Sequence, residues 1–183
     1  MPRTIFDFDP PERFVAGTVG QPGDRTFYLQ ASGRGRTVSV ALEKVQVQVL
    51  AERLEELLET ARRTGGDVPV GTSRVLEDTA PLDAPVEEEF RVGTMGLAWD
   101  GESEQVVIEA LAQSTGDAEE TEPLTDDAEG PDALRVHLTP TMARAFVQRA
   151  QRVVAAGRPP CPLCGLPLDA EGHVCPRQNG HRR

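Results

Sequence analysis

The chain has 183 residues, of which 38% are hydrophobic and 27% are charged, and its net charge is −11. This length fits one globular domain with a small appendage, and no apolar run approaches the roughly 18 residues that a membrane-spanning helix needs. The N-terminus lacks the apolar run and the cleavage site of a secretory signal, so we expect a cytoplasmic protein without a membrane partner.

The charge is unevenly distributed along the chain. Residues 1–66 are neutral overall, residues 67–132 carry a net charge of −17, and residues 133–183 carry +6. Much of the acidity falls in residues 64–86 and 113–131, which are rich in turn formers and poor in large apolar residues. We interpret both stretches as solvated loop, with an acidic docking segment for a basic partner as the alternative. Because residues 133–183 are basic, binding of a polyanion at this end of the chain remains an alternative.

Residues 5–9 predict a short strand at the start of the chain. Their sequence, Ile-Phe-Asp-Phe-Asp, is comparable to the strand motif of phosphatases that use an aspartate nucleophile. Those enzymes place the motif in a parallel sheet wound with helices, whereas hairpins follow here, and Pro11 stands where the motif needs threonine or valine. We therefore interpret the segment as an edge strand that leads into a Pro-Pro turn.

A repeated motif organises the rest of the chain. The pattern Phe-x-x-Gly-Thr-Val/Met-Gly occurs at residues 14–20 and again at residues 90–96. After the first copy, period-two alternation over residues 25–31 and 36–42 predicts strands in antiparallel hairpins. A helix follows and ends at residues 64–66. Its predicted buried residues are Val47, Leu50, Leu54, Leu57, Leu58 and Ala61.

The second copy opens a similar succession of elements. Alternation predicts strands over residues 105–111 and 134–138, on either side of the acidic insertion. Thr139 is the expected N-cap of a second helix, with proline at the first helical position, and Gly157 ends that helix. Its predicted buried residues are Met142, Phe146, Ala150 and Val153.

These elements predict an α+β fold of two tandem βββα repeats. Each unit leaves a sheet face and a helix stripe uncovered, so two copies would pack as an intramolecular pseudo-dimer of about six mainly antiparallel strands and two helices. Chance similarity between two segments that open hairpins is the alternative. The predicted domains are a core at 1–157, with repeats 1–66 and 85–157, a linker at 67–84 and an acidic insertion at 113–131, and a tail at 158–183.

The strongest chemical signal is a group of three cysteines in the tail. Cys161 and Cys164 flank Pro-Leu and precede a glycine, a spacing at which backbone amides point at both sulfurs. Cys175 starts a second, incomplete turn, so the tail resembles a short zinc ribbon without its fourth cysteine. His173 is the preferred replacement, and His181, close to the chain end, is the alternative. Three thiolates and one imidazole form a standard structural zinc site with no position left for substrate.

Two other states of the tail remain open from the sequence. The cysteines could stay reduced and metal-free, or two of them could form a disulfide. A redox Cys-x-x-Cys pair fits less well, because such pairs open a helix whereas Pro162 and Pro167 make this segment a loop. A ribbon this small has almost no apolar core, so a bound metal would supply most of its folding free energy.

Few other residues carry a chemical signal. His137 lies on the face opposite the apolar residues of its predicted strand, and we expect a surface or interface histidine, with a catalytic base as the exception. The turn at residues 33–36 holds two arginines and is compatible with an anion contact. The chain has no nucleophile-elbow, Walker or dinucleotide motif.

Residues 6–20, 25–31, 161–165 and 172–175 carry a resemblance to a known family. The chain resembles an uncharacterised actinobacterial family of conserved hypothetical proteins, a domain of unknown function, over essentially its full length apart from the acidic insertion. The resemblance implies a similar fold and a soluble cytoplasmic setting, and it transfers no catalytic residue.

The sequence leaves three classes of function. The leading one is a non-enzymatic interaction module that presents a zinc-stabilised, arginine-bearing tail to a protein partner. The second is a nucleic-acid-binding protein that uses the last helix and the tail. The third, which we do not favour, is an enzyme with a site between the repeats or at a zinc ion with an open position. The arginines of the second hypothesis are Arg144, Arg149, Arg152, Arg177, Arg182 and Arg183.

Overall fold

The computed structural model describes residues 2–69, 78–116, 121–157, 160–166, 168, 173 and 175–177. Within them the chain forms seven strands and two helices. In chain order these are β1 (Ile5–Phe8), β2 (Arg13–Gln21), β3 (Asp24–Gly33), β4 (Arg36–Leu42), α1 (Lys44–Arg63), β5 (Glu88–Asp100), β6 (Gln105–Ala112), β7 (Ala133–Leu138) and α2 (Pro140–Ala155). Neither described helix has both the length and the apolar character that a bilayer-spanning segment needs.

All seven strands belong to one mixed sheet with the order β1-β7-β6-β5-β4-β3-β2. The pairs β2–β3, β3–β4, β5–β6 and β6–β7 are antiparallel, whereas β1 runs parallel to β7 and β4 runs parallel to β5. The predicted α+β class and its two helices are therefore confirmed. The predicted strand count is wrong, because β1 pairs with residues 133–136, which no local hairpin signal in the sequence connects to it.

The two predicted repeats follow one another along the sheet. β2, β3, β4 and α1 come first, β5, β6, β7 and α2 come second, and β4 lies beside β5. The two copies of the motif lie in β2 and β5, but a register shift between Val92 and Met95 interrupts the second copy. The order of elements is the predicted one, whereas a pseudo-dimer of equivalent halves is not confirmed and stays a prediction.

The sheet is strongly curved, because a short connection joins its two edge strands. Residues 9–12 alone connect β1 to β2, which lie at opposite ends of the strand order. A flat sheet would separate these edges by about 29 Å, since neighbouring strands lie about 4.8 Å apart. The connection spans at most about 18 Å. The curvature closes a seam at which the Arg36 guanidinium lies 5.0 Å from the centre of the Phe8 ring.

Both helices pack against one face of the curved sheet. α1 buries most of its predicted apolar stripe there, although Leu57 is only partly buried. α2 contacts α1, β2, β6 and β7, so it lies across the opening of the curve. Phe146 of α2 stacks on Phe14 of β2, with the ring centres 4.6 Å apart. The predicted N-cap of α2 is confirmed, because the Thr139 hydroxyl accepts a hydrogen bond from the Met142 N–H.

Parts of the two acidic stretches cover the opposite face of the sheet. Gln30, which is 1% exposed, accepts a hydrogen bond from the Asp83 N–H and donates one to the Asp83 carbonyl. Glu109, which is 0% exposed, accepts hydrogen bonds from the Leu124 N–H and from the Arg135 guanidinium. The described parts of both stretches are loop and mostly exposed, as interpreted from the sequence, but the main chain at Asp83 and Leu124 is also hydrogen-bonded to buried side chains of the sheet.

Candidate metal centre

The tail brings four metal-ligating side chains together. The ligand atoms of Cys161, Cys164, His173 and Cys175 all lie within 4.8 Å of one another. The sulfurs of Cys161 and Cys175 are 3.9 Å apart, and the Cys164 sulfur lies 3.6 Å from His173 Nε2. This is the ligand set preferred from the sequence, whereas the alternative, His181, lies outside the described residues.

A backbone-locked turn positions the first two cysteines. The Gly165 N–H donates to the Cys161 carbonyl, and the Cys161 N–H donates to the Leu166 carbonyl, both at 2.8 Å. Gly165 has a φ of +75°, a left-handed conformation that glycine adopts without the steric cost of a Cβ. The Cys-Pro-x-Cys-Gly spacing thus encodes the turn locally, which explains why the sequence could predict it.

The same turn makes the two thiols electrostatically different. The N–H groups of Cys164 and Leu163 point at the Cys161 sulfur and lower the pKa of that thiol to about 6. A hydrogen bond with His173 acts in the same direction. The Leu166 N–H lowers the pKa of Cys164, but burial and the neighbouring sulfurs outweigh it, so this pKa is raised. Cys161 is therefore largely thiolate at neutral pH, which is the form that binds metals.

None of the three cysteines forms a disulfide, so the disulfide alternative does not describe this structure. The sulfurs of Cys161 and Cys175 stand 3.9 Å apart, whereas a disulfide joins its sulfurs at about 2.05 Å. Both side chains are buried, and those of Cys164 and His173 are half-buried. A partly enclosed group of three sulfurs and one imidazole nitrogen could hold a metal ion.

His137 lies at the seam of the curved sheet, beside acids that the sequence does not place near it. Its Nε2 is 3.0 Å from Asp7 Oδ1, and its Nδ1 is 3.9 Å from Asp9 Oδ2. A cavity of about 320 Å³ opens at this seam, between the end of β1 and the arginines of the turn at residues 33–36. Asp7 is 130 residues away from His137 in the chain, which is why sequence spacing could not reveal the pair.

Arg149 is a structural residue rather than an exposed cation. It is 4% exposed, and its Nε donates to the Ala16 carbonyl at 2.7 Å. Its Nη1 donates to the carbonyls of Asp78 and Ala80, each at 2.6 Å, and so ties this segment to β2. The prediction that Arg149 contacts nucleic acid is therefore wrong. The sequence could have indicated that Arg149 is buried, because it lies three residues after Phe146 and therefore on the buried stripe of the helix.

The other arginines of the nucleic-acid hypothesis differ in exposure. The Arg144 side chain is 11% exposed and lies 4.0 Å from Glu59. Arg152 and Arg177 are exposed. The last two arginines of the chain lie outside the described residues.

An apolar groove of about 360 Å³ lies between α1 and β5, where the two halves of the chain meet. This is the place at which the enzyme hypothesis expected a cleft. Among the described residues that line the groove there is no acid, histidine, cysteine or serine, so the lining offers no group for general acid–base catalysis. The lining residues are Val45, Gln46, Val49, Leu50, Arg53, Gly93, Met95 and Leu97.

A comparison with known protein families identifies the family of this chain. A family of proteins of unknown function, DUF3090, matches residues 6–175. The chain belongs to the DUF3090 family. No curated protein and no solved structure matches this DUF3090 protein. The expected relation to a domain of unknown function is thereby confirmed, while the actinobacterial source stays a prediction.

Proposed function

We propose that this DUF3090 protein is a non-enzymatic interaction module whose tail folds around a structural zinc ion and contacts a protein partner. The observation that carries the proposal is the closed donor set of Cys161, Cys164, His173 and Cys175. Four protein ligands fill a tetrahedral shell, so the ion has no open position for a substrate. The metal then acts on the folding of the tail rather than on a reaction.

Two of the six separations between the donor atoms match those of a tetrahedral zinc site. With Zn–S bonds of about 2.3 Å and Zn–N bonds of about 2.05 Å, a tetrahedron sets neighbouring sulfurs about 3.8 Å apart and sulfur and nitrogen about 3.6 Å apart. The Cys161–Cys175 and Cys164–His173 distances are 3.9 Å and 3.6 Å. Thiolates with an imidazole also suit zinc better than magnesium or calcium, which prefer oxygen ligands.

Two exposed leucines support a binding role for the tail. Leu163 is 47% exposed and Leu166 is 50% exposed, and both lie in the turn that carries the first two cysteines. Because the metal and the backbone hydrogen bonds would fix this turn, its apolar side chains would be held ready for a partner at little entropic cost. The structure offers less to the two alternatives, because Arg149 is buried and the groove at the junction lacks acid–base groups.

The proposal is tested by affinity capture from the source cells with the full chain and two variants. Leu163→Ser with Leu166→Ser should abolish capture of the partner while the bound zinc, measured on the same samples, stays unchanged. Val19→Ser is the matched control, because Val19 is 48% exposed and lies in β2, outside the tail. A partner retained equally by the double variant would contradict a tail-mediated interaction.

A further inference from the structure

β5 is central in the sheet order, yet among the described residues one side of its second half has no neighbouring strand. On that side it pairs with β4 only at Glu88 and Arg91, opposite Ser39 and Ala41. β4 ends at Leu42, and the chain then turns into α1. Across the described chain, no strand pairs with β5 beyond Arg91 on the β4 side.

This free edge leaves backbone groups open to an incoming strand. Residues 93–99 are exposed or half-buried, whereas most of the neighbouring β6 is buried. Alternate residues of a strand direct their N–H and C=O groups to the unpaired side. The bulge between Val92 and Met95 and the Gln46 side chain, which donates to the Val92 and Gly93 carbonyls, protect the start of this edge. Residues 94–98 include none of the charges or prolines that commonly block strand addition.

The free edge faces the apolar groove beneath α1. Val45 and Val49 lie one helical turn apart and are 62% and 43% exposed, although most apolar residues of this helix are buried. Met95 and Leu97 of β5 line the other side of the groove. Arg53 is the one charged residue among the described lining residues, and the partner of its ion pair, Glu56 at 3.6 Å, is itself exposed.

We propose that these elements form a peptide-binding site, the β5 slot, made of residues 94–98 together with Val45, Val49 and Arg53. An extended segment of a partner protein adds to β5 as a strand, and its main chain completes the open hydrogen bonds. Apolar side chains at alternate positions enter the groove against the two valines, and a carboxylate of the segment pairs with the arginine. A helix would fill the groove but would leave the β5 backbone unpaired.

The β5 slot adds a second surface to the proposed interaction function and does not depend on the metal centre. None of its residues belongs to the tail, which begins after α2. The Leu163→Ser, Leu166→Ser double variant should therefore bind peptides as the unchanged chain does. Failure of one surface can thus be distinguished from failure of the other.

The test is selection of random heptapeptides displayed on phage against the full chain, the Val49→Glu variant and the Val19→Glu variant. Both valines are similarly exposed, at 43% and 48%, but only Val49 lies in the slot. Selected peptides are synthesised unmodified and with backbone N-methyl groups in either alternate frame. Their affinities are measured by fluorescence anisotropy.

We expect enriched peptides to have apolar side chains at alternate positions. They should bind the full chain and the Val19→Glu variant equally and the Val49→Glu variant about tenfold or more weakly, because the new carboxylate lies in the apolar wall. N-methylation should abolish binding in one frame and spare the other, since only one set of amides faces β5.

Three results would overturn the proposal. One is the absence of any enriched peptide, and the second is equal binding by the Val49→Glu variant or by both methylated forms. The third is a full chain that sediments as a dimer and becomes a monomer with Val49→Glu, which would assign the slot to a second copy of this chain.

Discussion

Single buried polar residues attach the covering segments to the sheet. Arg149 ties residues 78–80 to β2, and Gln30 and Glu109 bind the two segments on the opposite face. The sequence marks such residues as polar side chains among apolar ones, but it does not show which distant main-chain groups they bind. The grouping of the candidate metal ligands was predictable because the outermost pair, Cys161 and Cys175, is only 14 residues apart.

Arg149→Met should therefore destabilise the core. The substitution keeps an unbranched apolar stem but removes the guanidinium, which leaves the carbonyls of Ala16, Asp78 and Ala80 without their donor, at an expected cost of about 3 kcal/mol in the free energy of unfolding. Urea denaturation of the full chain measures this change. Arg53→Met is the control, because that side chain is 69% exposed and should change stability by less than about 0.5 kcal/mol. Equal stability of the two variants would contradict a structural role for Arg149.

Elements with a local signal were predicted, whereas elements that depend on distant pairing were not. Period-two alternation and glycine turns located the hairpins, and apolar spacing with the Thr139 cap located the helices. The parallel pairing of β1 with β7 carries no local signal, and neither does the early end of β4 that leaves the β5 edge free. Both follow from how the curved sheet closes, which alternation along a single strand does not encode.

Gly165→Ala should weaken metal binding through the turn alone. The φ of +75° costs a residue with a Cβ about 1 kcal/mol, and an added Cβ would meet nothing within 4 Å. We expect zinc affinity, measured by competition with a chromophoric chelator, to fall about fivefold. Gly116→Ala is the matched control, since its φ is +89°, its surroundings are equally open and it lies outside the tail. Identical affinities for the two variants would refute the role assigned to the turn.

At the scale of the whole molecule, a curved sheet carries two candidate binding surfaces. One is the turn of the tail with its exposed leucines, and the other is the β5 slot. The net charge of −11 is the sum of segments that occupy different places in the fold. The acidic middle of the chain contributes part of the second sheet cover, and the basic end leads into the tail. The sequence predicted the α+β class but not the curvature of the sheet. The curvature results from the short connection at residues 9–12, and its effect is apparent only once the complete strand order is known.

The central claim is a structural zinc ion held by Cys161, Cys164, His173 and Cys175. Elemental analysis of the full chain, purified under reducing and metal-replete conditions, tests it most directly when His173→Gln and His181→Gln are measured in parallel. The account predicts about one zinc per chain for the unchanged protein and for His181→Gln, and a loss of zinc on dialysis against a chelator for His173→Gln, because three ligands bind zinc less tightly than four. Zinc well below one per chain in the unchanged protein, or undiminished zinc in His173→Gln, would contradict it.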